Sequence, residues 1–139
     1  MKTVKDVMTE NPACCTPETT LEEAGQMMVD NDCGEIPVVD SEGTRTPIGV
    51  ITDRDIVCRA VAQGKDTRSM RVGDCMTTPC VTVSPDQSID ECVKVLEESG
   101  IRRVPVVDDE GVCCGIVAQA DTARVAKNQA AELVNAVSA

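Results

Sequence analysis

The chain repeats itself, and the repeat constrains its fold more than any other feature. Val4-Lys5-Asp6-Val7-Met8-Thr9 returns as Val72-Gly73-Asp74-Cys75-Met76-Thr77, and Ile36-Pro37-Val38-Val39-Asp40 returns as Val104-Pro105-Val106-Val107-Asp108. Both offsets are 68 (72 − 4 and 104 − 36). Gly43 and Gly111 keep that register, whereas Gly49 and Gly115, then Asp55 and Asp121, stand 66 apart (115 − 49 and 121 − 55). The first copy therefore carries two extra residues in the turn between. Self-similarity of this kind means two copies of one supersecondary unit, neither able to bury its apolar face alone. In a chain of 139 residues the two copies must form one compact module.

Each copy reads the same way. Short strands over Cys14–Thr16 and Val81–Val83 end in Thr-Pro or Ser-Pro. Capping boxes follow, Thr20-x-x-Glu23 and Ser88-x-x-Glu91, which satisfy free amide donors at a helix start. The stripes Leu21, Ala24, Met28 and Ile89, Cys92, Val93, Leu96 then describe half-buried helices. Apolar runs at Ile36–Val39 and Val104–Val107 read as buried strands, Asp-x-Glu-Gly as a hairpin turn, and Pro47–Thr52 and Cys113–Ala118 as its returning strands. A last helix runs from about Asp53 to Gln63, and from about Ala120 toward the C-terminus. The expected fold is mixed α/β, a β-α-β-β-α unit twice, related by a pseudo-twofold axis. The division falls at residues 1–65 and 66–139, with the polar stretch Gly64–Arg71 as linker. A pair packed in this way leaves a cleft between equivalent strand ends.

The charge balance narrows the partners. Lys plus Arg is 13 against 24 Asp plus Glu, a net charge of −11, which repels polyanions and argues against nucleic acid or an anionic membrane. A small phosphate ligand held by local donors is compatible with it. No apolar run has the ~20 residues of a membrane span, and Met1–Glu10 has no apolar stretch of a signal peptide. The expected location is the cytoplasm. The chain has no Phe, Trp or Tyr, so the core must be built from aliphatic residues, Met and Cys.

The ordered motifs resemble the CBS domain, the unit named after cystathionine β-synthase. Gly34-Glu35-Ile36-Pro37-Val38-Val39-Asp40 with Gly49-Val50-Ile51-Thr52-Asp53-Arg54-Asp55 is similar to that family's pattern. So is Gly100-Ile101-Arg102-Arg103-Val104-Pro105-Val106-Val107-Asp108 with Gly115-Ile116-Val117-Ala118-Gln119-Ala120-Asp121. The resemblance covers Val4 to about Ala126, with no enzyme or transporter domain alongside. It implies a stand-alone Bateman module that binds adenosine nucleotides or related adenosyl compounds in its cleft. It further implies pairing into a flat homodimer, which the apolar Ile56, Val57, Ala60 and Val61 on one helix support.

The residues give the site its own chemistry. Gly-Val-Ile-Thr-Asp-Arg-Asp is a strand running into a helix start, whose free amides suit a phosphate. Thr52 adds a hydroxyl and Arg54 a charge-assisted contact, while Asp55, an acceptor when ionised, suits ribose hydroxyls. Thr52 or Asp53 equally reads as a plain helix cap. The second copy keeps Asp121 but has Ala118 in place of Thr52 and Gln119-Ala120 in place of Asp53-Arg54, so its site is expected to be weaker or empty. Arg102 and Arg103 are either a solvated pair or phosphate partners for the Thr52 site. Ile36, Pro37, Val104 and Pro105 are expected as apolar walls for a base, with Thr16 and Thr82 as flanking contacts.

Catalysis finds no support: there is no His, no Gly-x-x-x-x-Gly-Lys loop, and no Ser or Cys with an evident base. No metal or resident cofactor is expected. The nine cysteines include no Cys-x-x-Cys, and adjacent pairs such as Cys14-Cys15 and Cys113-Cys114 point to opposite faces of a strand. They read first as small core residues. The leading function is a nucleotide-responsive module signalling to a partner protein. Its rivals are a dimerisation module with an empty cleft and a thiol-based redox sensor.

Overall fold

The computed structural model describes residues 2–138. Its elements run α1 (Val4–Val7), β1 (Thr9–Glu10), α2 (Leu21–Asp30), β2 (Glu35–Val39), β3 (Pro47–Thr52), α3 (Asp53–Ile56), α4 (Ile89–Ser99), β4 (Arg103–Val107), β5 (Cys113–Ala118) and α5 (Gln119–Ser138). A π-helical turn, Val57–Val61, continues α3, and single 3₁₀ turns cover Thr67–Ser69 and Val72–Asp74. The mixed α and β content, in two small sheets with helices against them, is as the periodicity predicts. The strands expected at Cys14–Thr16 and Val81–Val83 reduce to single parallel bridges, Cys15 to Val38 and Val83 to Val106. The Pro residues that follow each segment remove the amide a longer ladder would need.

The capping boxes fix both long helices where expected. Thr20 Oγ1 accepts from the Glu23 amide at 3.1 Å, and Ser88 Oγ from the Glu91 amide at 3.1 Å. The hairpins match residue for residue: Ile36 opposes Ile51 in β2–β3, and Val104 opposes Val117 in β4–β5, each with a bulge near the turn. All four side chains are buried. With no aromatic residue, Ile36 and Ile51 are the largest fully buried side chains, each worth about 1.5–3 kcal/mol of transfer free energy.

The two cores exchange their leading segments. β1 leaves its own copy and pairs antiparallel with β5, Thr9 opposite Ile116, while Thr77 bridges to Val50 of β3. Val4 donates its amide to Gln87 O at 2.9 Å, and Val72 donates to Thr19 O at 2.7 Å. Accordingly Val4 is buried with Val83, Cys92, Leu96 and Val117, whereas Val72 and Cys75 are buried with Leu21, Ala24, Met28 and Ile51. The Val4 and Val72 amide bonds and the Thr9 and Thr77 bridges recur at their repeat mates, which gives the pair its pseudo-symmetry.

Gly49 and Gly115 permit the exchange. A Cβ on Gly49 would lie 2.5 Å from the Thr77 carbonyl oxygen, and one on Gly115 would run into the Met8 side chain.

Candidate ligand-binding cleft

Each hairpin delivers its last strand directly into a helix. Asp53 N donates to Gly34 O at 2.9 Å, and its mate Gln119 N donates to Arg102 O at 2.7 Å. These bonds hold the start of α3 beside Gly34-Glu35 and the start of α5 beside Arg102-Arg103. The two junctions face one cleft of about 1170 Å³. The first copy contributes Gly34, Glu35, Thr52, Asp53, Arg54, Val57 and Cys58 to its wall, and the second contributes Gly100–Arg103 and Ala118–Ala120. A smaller pocket of about 580 Å³ beside it shares Gly34, Asp53, Val57 and Arg103 and opens onto Met28 and Val29 of α2.

Four of the sequence-derived site residues, Thr52, Arg54, Arg102 and Arg103, meet in this wall. Three arginines, Arg54, Arg102 and Arg103, thus line one cavity together with the carboxylate residues Glu35 and Asp53. This cavity spans both helix starts.

Asp55 stands behind the wall rather than on it. It is 9% exposed, and its carboxylate is engaged. Asp55 Oδ2 accepts from the Thr52 amide at 3.1 Å, and Thr52 Oγ1 accepts from the Asp55 amide at 3.0 Å, a complete capping box. The Thr77 hydroxyl donates to both carboxylate oxygens, at 3.0 and 3.2 Å, and Arg59 Nε lies 3.9 Å away. Asp121 repeats the cap, accepting from the Ala118 amide at 3.2 Å, but its other oxygen takes Arg124 Nη2 at 3.0 Å instead of a threonine. Both carboxylates hold their strand–helix turns in shape, and neither borders the cavity.

The expected apolar walls are also displaced. Ile36, Pro37, Val104 and Pro105 are fully buried, because β2 and β4 are covered on both faces. The apolar groups that do border the cleft are Val57, Ile101, Ala118 and Ala120. Thr16 and Thr82 are half-buried away from the cavity, and the Thr16 amide donates to Thr19 Oγ1 at 3.1 Å.

Glu35 was not among the residues singled out from the sequence, although it is the repeat mate of Arg103 at 103 − 35 = 68. Its Oε2 is buried and has no hydrogen-bond partner. Burial pushes its carboxyl up to about 7; the Arg103 charge opposes that shift and the Asp55 charge adds to it. A buried polar atom without a protein partner in a cavity wall calls for one from water, an ion or a bound molecule. Among the described residues no group of three or more His, Cys, Asp or Glu is placed to hold a metal ion, and no helix is long and apolar enough to cross a membrane.

Comparison with known proteins agrees with this architecture. The family model for the CBS domain matches residues 4–61 and again 72–128. The chain is 37% identical to the CBS domain-containing protein YhcV of Bacillus subtilis over 123 residues, 88% of this chain and 84% of that protein. It is similar in structure to CBSX2 of Arabidopsis thaliana in complex with AMP, with a TM-score of 0.77 and 27% identity over 92% of this chain and 98% of that one. It is also similar to the CBS domain pair of protein MJ0100 in complex with 5′-methylthioadenosine and S-adenosyl-L-methionine, with a TM-score of 0.81 and 27% identity over 93% and 98%.

Proposed function

The chain belongs to the CBS domain family as a tandem pair, and on that premise we propose that it is a regulatory module whose central cleft binds an adenosine nucleotide or a related adenosyl compound. The observation that carries this reading is the convergence of Arg54, Arg102 and Arg103 with the Thr52 turn on one cavity. Three guanidinium groups give a phosphate charge-assisted donors that bulk electrostatics would deny it in a chain of net charge −11. The solved relatives holding AMP, 5′-methylthioadenosine and S-adenosylmethionine support the adenosyl part. The base lies against Val57 and Ile101, with no aromatic ring to stack on, and the orphaned Glu35 oxygen supplies a hydrogen-bonding partner. Asp55 acts through the Thr52–Arg54 turn it caps, and Asp121 through its own.

The module is regulatory rather than catalytic. The ligand shifts the relation between copies that already share their cores, and a partner protein reads the shift. Val29 and Val61 are 74% and 56% exposed, and they favour a homodimer that covers them; Ala60, by contrast, is buried in the first core, and Val57 lines the cleft. The cytoplasm is the compartment in which such a ligand is met. Native mass spectrometry of the protein purified without added ligand tests the reading. A dimer carrying an adenosyl mass supports it; a bare chain that also takes up no AMP, ATP or S-adenosylmethionine when they are added overturns it.

A further inference from the structure

Two carboxylates stand in the wall of the cleft, and their surroundings differ. Asp53 is exposed, and its Oδ1 accepts from the Arg54 amide at 2.8 Å. Glu35 is half-buried, its Oε2 is buried, and no protein donor reaches that oxygen. Glu35 opens β2 opposite Thr52, and Arg103 opens β4 opposite Ala118, the equivalent pairing in the second copy. The pseudo-twofold relation therefore sets the acid of one copy and the guanidinium of the other at matching places in one cavity wall. A ligand group that spans the two helix starts meets both.

We propose that Glu35 decides which ligand the cleft takes: as a neutral acid it donates a hydrogen bond to a ligand phosphate, and as a carboxylate it turns phosphate away and leaves the cleft to uncharged adenosyl compounds. This rests on the adenosyl reading of the cleft and adds to it a dependence on protons. An ionised carboxylate only accepts hydrogen bonds, and so does a fully ionised phosphate, so the two repel and neither satisfies the other. A protonated carboxyl has one O–H to donate. Oε2 is free to carry it, because no protein group competes for that oxygen.

The groups around Glu35 fix the direction of the effect. In the ligand-free protein burial pushes its carboxyl up to about 7; the Arg103 charge from β4 opposes this, and the Asp55 charge from behind the α3 turn adds to it. Arg102 stands beside Arg103 in the same wall, and Arg54 beside Asp53. Cys80, from the segment ahead of α4, is pushed up to about 11 by burial, then by the Glu35 and Cys14 charges, so its thiol stays neutral near pH 7 and does not share the titration. A phosphate that engages Arg103 cancels the charge that favoured the Glu35 carboxylate and adds a negative charge of its own. The carboxyl is then held above about 7, and binding takes up a proton. Affinity for a phosphate ligand is therefore greatest below that value and falls as pH rises through it.

Calorimetric titration of AMP and of adenosine into the full chain, in two buffers of different ionisation enthalpy, counts the protons. At about pH 8 a phosphate monoester, whose second ionisation lies at about 6, no longer titrates. The wild type should there take up roughly half a proton or more per AMP and none with adenosine. Glu35→Gln should take up none with either ligand, because a carboxamide does not titrate. Between about pH 6 and about pH 8.5 the wild-type affinity for AMP should fall about tenfold relative to that of Glu35→Gln, while the affinity for adenosine stays level. Uptake that persists in Glu35→Gln, or AMP binding to the wild type with no uptake, would overturn this proposal and leave the adenosyl reading standing. Failure of both ligands to bind at either pH would overturn that reading and this proposal with it. The proton count is read on the wild type, so it decides the matter even where the variant folds poorly.

Discussion

The Thr77 hydroxyl donates to the Asp55 carboxylate at 3.0 Å, and through that bond the leading segment of the second copy holds the helix start of the first. Asp55 also closes the cap on Thr52, so one buried carboxylate joins the exchanged segment to the cleft wall. Thr77→Val deprives a buried charge of a donor and should cost about 1–3 kcal/mol. Its repeat mate Thr9 is exposed and makes no such bond to Asp121, so Thr9→Val should cost much less. Urea denaturation of the two variants checks the difference; equal losses would show that the Thr77–Asp55 bond carries no special share.

The exchange of leading segments depends on two missing side chains. Gly49→Ala sets a Cβ 2.5 Å from the Thr77 carbonyl, and Gly115→Ala sets one against Met8. Overpacking of this kind costs typically about 1–3 kcal/mol. Met8 is flexible and Thr77 O is fixed backbone, so Gly49→Ala should be the more damaging. Thermal melts of both variants measure the order.

Stability should depend on pH through Glu35. Its folded carboxyl holds a proton up to about 7, above its ordinary value of 4.5, so the folded state binds more protons between those values. Its contribution to stability therefore falls as pH rises from the ordinary value through about 7, and below that range the effect is absent. Glu35→Gln should stabilise the ligand-free protein above pH 7, by on the order of 1–3 kcal/mol, and change little near pH 4. Denaturation at both pH values decides it.

Much of this was legible in the sequence because it is local. Capping boxes at Thr20 and Ser88, apolar runs at Ile36 and Val104, and the turn glycines each act within a few residues. The exchange was hidden because a repeat reports which segments are alike and not which copy each one packs against: Val4 and Val72 look interchangeable and lie in opposite cores. The bond from Thr77 to Asp55 was hidden as well, because its donor comes from the other copy, 22 residues on. Ile36 and Pro37 read as walls because an apolar run does not disclose that both its faces are covered. That Arg102 and Arg103 line the same cavity as Thr52 was legible, because pseudo-symmetry sets their loop opposite that turn.

The most direct measurement is calorimetric titration of AMP into the wild type and into Arg102→Ala, Arg103→Ala and the double variant. Each charge-assisted hydrogen bond to phosphate is worth roughly 1.5–3 kcal/mol, and each 1.4 kcal/mol is about tenfold in affinity. One AMP per chain is expected in the wild type. Each single variant that removes such a bond should lose about tenfold or more in affinity, and the double variant more. Adenosine, which lacks the phosphate, should bind all four proteins with similar affinity. AMP binding that is indifferent to both arginines would contradict the account.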